Sequence, residues 1–166
     1  TVKPLDPAIG AAVAEDGIAV ITVPENRWDR VDIKTVGLLP NVLAKQAARE
    51  AGAREAWFVD ADGFVTEGGS TNAWIVTGDG VLVTRPAEFG ILRGITRAVV
   101  METAAAEGLR VEERAFTVEE AKRLLAEQQK QTAEAAKTAQ SVAEITKEYN
   151  AAFDATKQAR EQGIKD

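Results

Sequence analysis

Two residue types are missing from this 166-residue chain altogether: cysteine and histidine. Without cysteine there are no disulfides and no thiolate metal sites, and the compartment is left open. Without histidine there is no Ser-His-Asp or Cys-His triad, no His-ligated zinc, and none of the commonest general base. No metal centre is expected. Acid–base chemistry must come from Lys, Glu, Asp or Tyr, or from a cofactor. Aromatic residues make up only 5% of the chain, and the net charge is -6, so a basic surface interleaved with stacking rings is absent and nucleic acid is not an expected partner. No apolar run approaches the length of a membrane span, and the N-terminus has no signal-peptide pattern, which makes a cytoplasmic location the expectation. The chain opens on Thr1-Val2-Lys3-Pro4 without Met and reads as processed or as cut from something longer.

With 45% apolar residues, the length suffices for one ordinary domain with its own core. Asp6-Pro7 reads as N-cap and N1 of a short Ala-rich helix ending before Gly17. Gly17 to Val23 is β-branched and bounded by Pro24, a strand. Leu38 to Ala51 has apolar residues at helical spacing, with Pro40 in the first turn and Gly52 closing it. Two hairpins follow: 56–59 with 64–66 around Asp62-Gly63, and 73–77 with 81–84 around Gly78-Asp79-Gly80. A helix over 95–107 stops at Gly108, and 109–113 reads as another strand. The fold class is α+β.

Composition then shifts. From Glu119 to Gln162 there is neither glycine nor proline, and Thr117-Val118-Glu119-Glu120 reads as a capping box. The expectation is one helix of about 45 residues, roughly 65 Å long, or a helical hairpin. Domains are therefore placed at 1–117 and 118–166. The tail's seam of Leu125, Val142, Ile145, Tyr149 and Phe153 is thin and should seek a partner, either the open edge of the domain or another copy of the helix, with packing on the sheet the favoured outcome.

Three blocks could carry chemistry. Lys34 closes Arg27-Trp28-Asp29-Arg30-Val31-Asp32-Ile33-Lys34; Glu67 stands in Val65-Thr66-Glu67-Gly68-Gly69-Ser70-Thr71-Asn72; Gly90-Ile91-Leu92-Arg93-Gly94-Ile95-Thr96-Arg97 reads as a loop entering a helix. An amine, an acid and an anion-binding helix N-terminus are the parts that hold pyridoxal 5'-phosphate. Each block has a plainer reading. Lys34 alone reads as a solvated surface charge, Glu67 as a hairpin acid, and Gly94-Ile95-Thr96 as an ordinary helix start. As a cofactor lysine, Lys34 would sit in a low-dielectric cleft that eases loss of its proton. Ser70, Thr71 and Asn72 offer hydroxyl and amide groups for the phosphate or for positioning Glu67. Arg27 could reach the phosphate, although Trp28 beside it is equally suited to stack on it as surface packing. Arg30 and Asp32 read as a structural ion pair.

In their order and spacing, these blocks, with Leu38-Leu39-Pro40-Asn41-Val42-Leu43-Ala44-Lys45-Gln46 between the first two, make the chain from about Pro4 to Lys122 resemble the cofactor-binding domain of class IV (fold-type IV) aminotransferases, the D-amino-acid branch above all. The resemblance implies a mixed sheet or partial barrel with flanking helices and pyridoxal 5'-phosphate as cofactor. It implies that Lys34 is the Schiff-base lysine and proton shuttle, and Glu67 the pyridine-nitrogen partner. Leu92 would pack on the ring, Ile95 and Thr96 would bind phosphate through their N–H groups beside Gly94, and Arg27 would stand on the phosphate side. Small-molecule partners, an amino acid and a 2-oxo acid, are implied, with a homodimer as one expected form. The family's smaller N-terminal domain and the strand that finishes the cofactor site have no counterpart in this sequence, and the tail reads as unrelated to the family. Two functional classes follow: a transaminating enzyme impaired by what is missing, or a non-catalytic chimera or fragment whose helical tail mediates self-association or surface binding.

Overall fold

A computed structural model of the chain describes residues 7–88 and 90–163; for residues 7–9, 12 and 149–163 it describes the backbone alone. The expected cap Asp6 lies outside the described residues. The element order is α1 (Pro7–Asp16), β1 (Val20–Pro24), α2 (Leu39–Glu50), β2 (Glu55–Val59), β3 (Val65–Gly68), β4 (Trp74–Val76), β5 (Leu82–Thr84), α3 (Ile95–Ala106), β6 (Val111–Glu113) and α4 (Val118–Gly163).

The strands form two three-stranded sheets, β1-β2-β3 and β4-β5-β6, and neither closes into a barrel. Each combines one hairpin with one parallel crossover. In the first sheet β1 runs parallel to β2, from Val20 opposite Glu55 to Pro24 opposite Val59, with α2 as the crossover. In the second, β5 and β6 are parallel, from Leu82 opposite Val111 to Thr84 opposite Glu113, and α3 crosses over. Parallel neighbours need such a connection because no tight turn can bring the chain back to the same end. β1 is an edge strand, which accommodates Pro24 at its last position without losing a ladder bond.

Local sequence accounts for the ends of these elements. Gly63 turns the first hairpin at φ +87°, donating its N–H to the Asp60 carbonyl at 3.1 Å. The Asp60 side chain completes the turn by accepting from the Phe64 N–H at 2.8 Å and ties it to Arg85 at 2.8 Å. Gly108, at φ +70°, ends α3 in the left-handed conformation that spares glycine the Cβ penalty. Thr117 caps α4: its hydroxyl accepts from the Glu120 N–H at 3.1 Å. The reciprocal half of the expected capping box is not made with Thr117, because the Glu120 carboxylate receives both terminal nitrogens of Arg114, at 3.0 and 2.6 Å.

Two apolar clusters make the core. One joins Val65, Ala73, Ile75, Val81, Val83 and Phe116, with Trp57, Val118, Ala121 and Leu124 against it. The other joins Ala44, Ala48, Ala56 and Phe58 beneath α2, with Ile21 and Val23. Phe116 is fully buried and meets Trp57 edge-on, with ring centroids 5.9 Å apart. Its carbonyl accepts the Val65 N–H at 2.9 Å, so the strand-like segment before α4 is stitched to β3.

The chain divides into two compact units, residues 1–124 and 125–166. α4 is a single uninterrupted helix, so the hairpin alternative is set aside. Its first turns belong to the core, whereas side chains 125–148 are exposed throughout, Leu125, Val142 and Ile145 included. Tyr149 and Phe153 fall where side chains are not described. Apolar residues there are too sparse among Ala, Gln, Lys and Glu to present a continuous stripe. Among the described residues, no helix is long and apolar enough to cross a membrane.

Candidate active site

β3 carries Glu67 in the middle of the molecule's buried polar centre. Its Oε1 accepts from Arg27 Nη1. Its Oε2 accepts from the Leu92 backbone N–H at 3.2 Å and, over a long 3.4 Å, from Asn72 Nδ2. Asn72 also reaches the Leu92 carbonyl at 3.4 Å and lies so close to Gly94 that a Cβ there would stand 3.3 Å from its Oδ1. Asn72 thus links the carboxylate to the loop that enters α3. Burial pushes the Glu67 carboxyl above the ordinary carboxylate value; the hydrogen bonds and charge of Arg27 and the Leu92 N–H offset this only in part, and the nearby Glu25 charge adds to the rise.

Arg27 follows β1 and is held by a second carboxylate. Its Nε and Nη2 bind Glu25 Oε1 and Oε2 at 2.8 and 2.6 Å, its own N–H reaches Glu25 Oε1 at 3.1 Å, and its guanidinium lies 4.5 Å from the centre of the Phe58 ring. Thr66 donates its hydroxyl to Glu25 at 2.7 Å. Burial raises the Glu25 carboxyl, but bonds from Arg27 and Thr66 and the Arg27 charge outweigh it and hold it below the ordinary range. The ring under Arg27 is Phe58, not Trp28, because Trp28 is half exposed. Arg27 is thus engaged by two carboxylates, Glu25 and Glu67.

Arg27 and Glu67 floor a small, open cleft. Arg27, Trp28, Val31, Ile33, Lys34, Thr35, Gly37, Leu38, Asn41, Glu67 and Leu92 line it. Lys34, Glu67 and Leu92 therefore line one cavity. Lys34 is exposed, so the low-dielectric setting expected for it is not present within the described residues. Arg30 and Asp32 form the expected ion pair at 2.8 Å, which accounts for the two charges nearest Lys34 in sequence.

Ser70, Thr71, Asn72, Gly94, Ile95 and Thr96 do not line this cleft. Ser70 and Thr71 donate to Glu55 instead, at 2.8 and 3.3 Å. Glu55 is buried at the start of β2; desolvation raises its carboxyl, and the Ala56 N–H, Ser70 and Lys45 bring it below the ordinary value. Together they brace the Gly68-Gly69 turn, where a Cβ on Gly69 would come within 3.1 Å of Glu55 and Lys45. Asn41 on α2 closes the same turn by donating to the Gly69 carbonyl at 2.9 Å. Gly94 is the N-cap of α3, and the first intrahelical bond runs from the Ala98 N–H to the Gly94 carbonyl. The N–H groups of Ile95, Thr96 and Arg97 consequently have no acceptor inside the helix, and both Ile95 and Thr96 are exposed.

Sequence reasoning missed Glu25, Glu55 and Asn41. Glu55, a charged residue opening the apolar run Glu55-Ala56-Trp57-Phe58-Val59, was visible as an anomaly; Glu25 and Asn41 carried no such signal. The donor set nonetheless fits pyridoxal phosphate: an amine for the aldehyde, a buried carboxylate for the ring nitrogen, an apolar side chain at the rim, and a helix N-terminus with unpaired N–H groups for the dianion.

Comparisons with known proteins agree. The family Amino-transferase class IV matches residues 1–153, a span that includes most of α4. A D-alanine aminotransferase of Bacillus licheniformis is 43% identical over 106 residues, which is 64% of this chain and 37% of the relative. A putative branched-chain-amino-acid aminotransferase of Methanocaldococcus jannaschii is 40% identical over 120 residues, 69% of this chain and 40% of the relative. Among solved structures, the PLP-bound form of a hypothetical aminotransferase from Mycobacterium tuberculosis superposes with a TM-score of 0.63 at 29% identity, covering 72% of this chain and 45% of that one. A branched-chain aminotransferase from Thermoproteus uzoniensis with norvaline gives 0.56 at 38% identity, covering 63% and 36%. The chain spans less than half the length of each of these relatives.

Proposed function

The chain belongs to the class IV aminotransferases, and from that membership we propose that it serves pyridoxal 5'-phosphate-dependent transfer of an amine from an amino acid to a 2-oxo acid, with a D-amino acid as the favoured donor. The observation that carries this reading is the meeting of Lys34 and Glu67 in one cleft with Leu92. The D-alanine aminotransferase relative supports the choice of donor. We place the reaction in the cytoplasm and expect the active assembly to be a homodimer.

When bound, the cofactor supplies an electron sink for the negative charge that develops at the substrate α-carbon. Lys34 Nζ is the amine that would hold the cofactor covalently and would move a proton to and from that carbon. Lys45 is unsuited to this role, because its Nζ donates to the Arg54 carbonyl at 2.7 Å and pairs with Glu55 at 3.2 Å. Glu67 would accept a hydrogen bond from the protonated ring nitrogen, with Asn72 fixing the direction of the carboxylate, and Leu92 would pack on the ring. The phosphate would be taken by the N–H groups of Ile95 and Thr96 beyond Gly94. Ser70 and Thr71 contribute indirectly, by shaping the turn behind Glu67.

Among the described residues, the arginine lining the cleft is Arg27, which is bound by two carboxylates, and the α3 N-terminus is left for the phosphate. Each missing charge-assisted contact costs about 1.5–3 kcal/mol, or at least tenfold in affinity, so binding should be weak and turnover of D-alanine with 2-oxoglutarate slow. Adding pyridoxal phosphate should turn the protein yellow, and borohydride should bleach it. Peptide mapping should then find the label on Lys34. A label on Lys45 or on an α4 lysine, with Lys34 clean, would overturn the assignment. The exposed Leu125, Val142 and Ile145 of α4 favour the second reading, self-association without catalysis; it gains if no label appears anywhere and association rises with concentration.

A further inference from the structure

The cleft's floor contains one cation between two carboxylates, and only one of the two faces the cleft. Arg27 offers Nε, Nη2 and its backbone N–H to Glu25 but a single nitrogen, Nη1, to Glu67. Glu25 is itself held by the Thr66 hydroxyl, and Phe58 lies beneath the guanidinium plane. The Arg27 side chain is only 5% exposed, so it has no room to swing away. We propose that Glu25 is a positioning residue for Glu67: by occupying one edge of the Arg27 guanidinium and balancing its charge, it keeps Arg27 from forming a closed two-point pair with Glu67. Glu67 Oε2 is then held only by the Leu92 N–H and Asn72, and remains a strong acceptor toward the cleft. This rests on the reading that Glu67 faces the ring nitrogen of the cofactor.

The electrostatics run the same way. Two carboxylates share one guanidinium, so the cluster of Glu25, Arg27 and Glu67 carries a net negative charge with both acids ionised. The groups that face Glu67 are Arg27 and Glu25 from the segment after β1, Asn72 before β4, the Leu92 N–H before α3, and Lys34 across the cleft. Removing the Glu25 charge leaves Arg27 uncompensated against Glu67, which makes Glu67 a weaker base and a weaker partner for a protonated nitrogen. A group that merely held the loop together would not have this effect on its neighbour.

The test uses the full chain, first without cofactor. Carbon-13 NMR of the Glu67 carboxyl is followed against pH in wild type, E25Q and E25D, with circular dichroism as the folding check. In E25Q the Glu67 titration midpoint should fall, and E25D, which keeps the charge, should return it toward wild type. Pyridoxal phosphate titrations should then show roughly tenfold weaker binding to E25Q, with E25D within about threefold of wild type. Should E25Q fail to fold, T66V is the substitute; it removes the hydroxyl that donates to Glu25 at 2.7 Å and accepts from Arg27 Nη2 at 3.3 Å, leaves both carboxylates in place, and the midpoint should move in the same direction by less. A folded E25Q or T66V whose Glu67 midpoint is unmoved or raised overturns the proposal. A lowered midpoint in E25Q, together with a wild-type protein that takes no borohydride label at Lys34, instead refutes the cofactor role alone.

Discussion

Replacing Arg27 with Met should be among the costliest single changes in this protein, and its cost should depend on pH in a definite direction. The side chain is 5% exposed and bridges Glu25 and Glu67, whose side chains are 20% and 8% exposed. Methionine fills much of the same space and keeps a contact with the Phe58 ring, so the loss is mainly electrostatic. Removing one member of a buried ion pair costs about 3–5 kcal/mol, because an unpaired charge is left behind. Here two are left, facing each other, against a total stability of about 5–15 kcal/mol for an ordinary domain. In wild type Glu25 lies below the ordinary carboxylate value, so its contribution is present above the unfolded value and lost as pH falls through the folded one. Glu67 lies above the ordinary value, so its contribution is fullest in acid and lost as pH rises through its folded value. Without Arg27 both carboxyls are raised by burial and by each other. The variant should therefore lose stability steadily from about pH 4.5 towards neutrality. Urea unfolding of wild type and R27M at pH 5 and pH 7 measures this: the deficit should be about 3–5 kcal/mol at pH 7 and clearly smaller at pH 5. A deficit below about 1 kcal/mol at pH 7, or an equal one at both pH values, would refute the buried-cluster reasoning.

Truncating Phe116 to Ala removes the most central aromatic of the larger core and its edge contact with Trp57; urea unfolding should show a loss of about 3–5 kcal/mol, and a loss under 1 kcal/mol would mean the site collapses around the gap. Substituting Thr117 by Ala deletes the hydroxyl that accepts the Glu120 N–H, at a cost of about 1 kcal/mol, and T117S should recover most of it in thermal melts. In K34A, borohydride should fix no cofactor while the Glu67 environment is retained; an unchanged stoichiometry of label would point to another lysine. In α4, hydrogen exchange should be fast from Ala126 to Glu148, where exposed side chains leave only helix propensity and local bonds such as Thr132 to the Gln128 carbonyl to protect amides; protection equal to that of β2 or β3 would show that this stretch is covered in solution.

Much of this protein was decided locally. The glycines at 63 and 108, the Thr117 cap, the crossover helices and the breaker-free run of α4 are short-range consequences of residue type, legible because a turn or a cap involves neighbours a few positions apart. The blocks around Lys34, Glu67 and Gly94 were recognisable for the same reason, as contiguous words. Tertiary structure alone decided how those words meet. Arg27 turns to Glu67 because β1 and β3 flank β2 in one sheet and bring residues from distant parts of the chain to one end of it. Ser70 and Thr71 face Glu55 because the turn after β3 folds back over the start of β2. Leu92, whose role had been read as a side chain against a ring, also supplies a backbone N–H to the carboxylate, and no periodicity announces which amide a loop will aim. Charge balance at a buried site depends on distances across the fold and on exclusion of water, so it is the part of the site that composition and spacing do not encode.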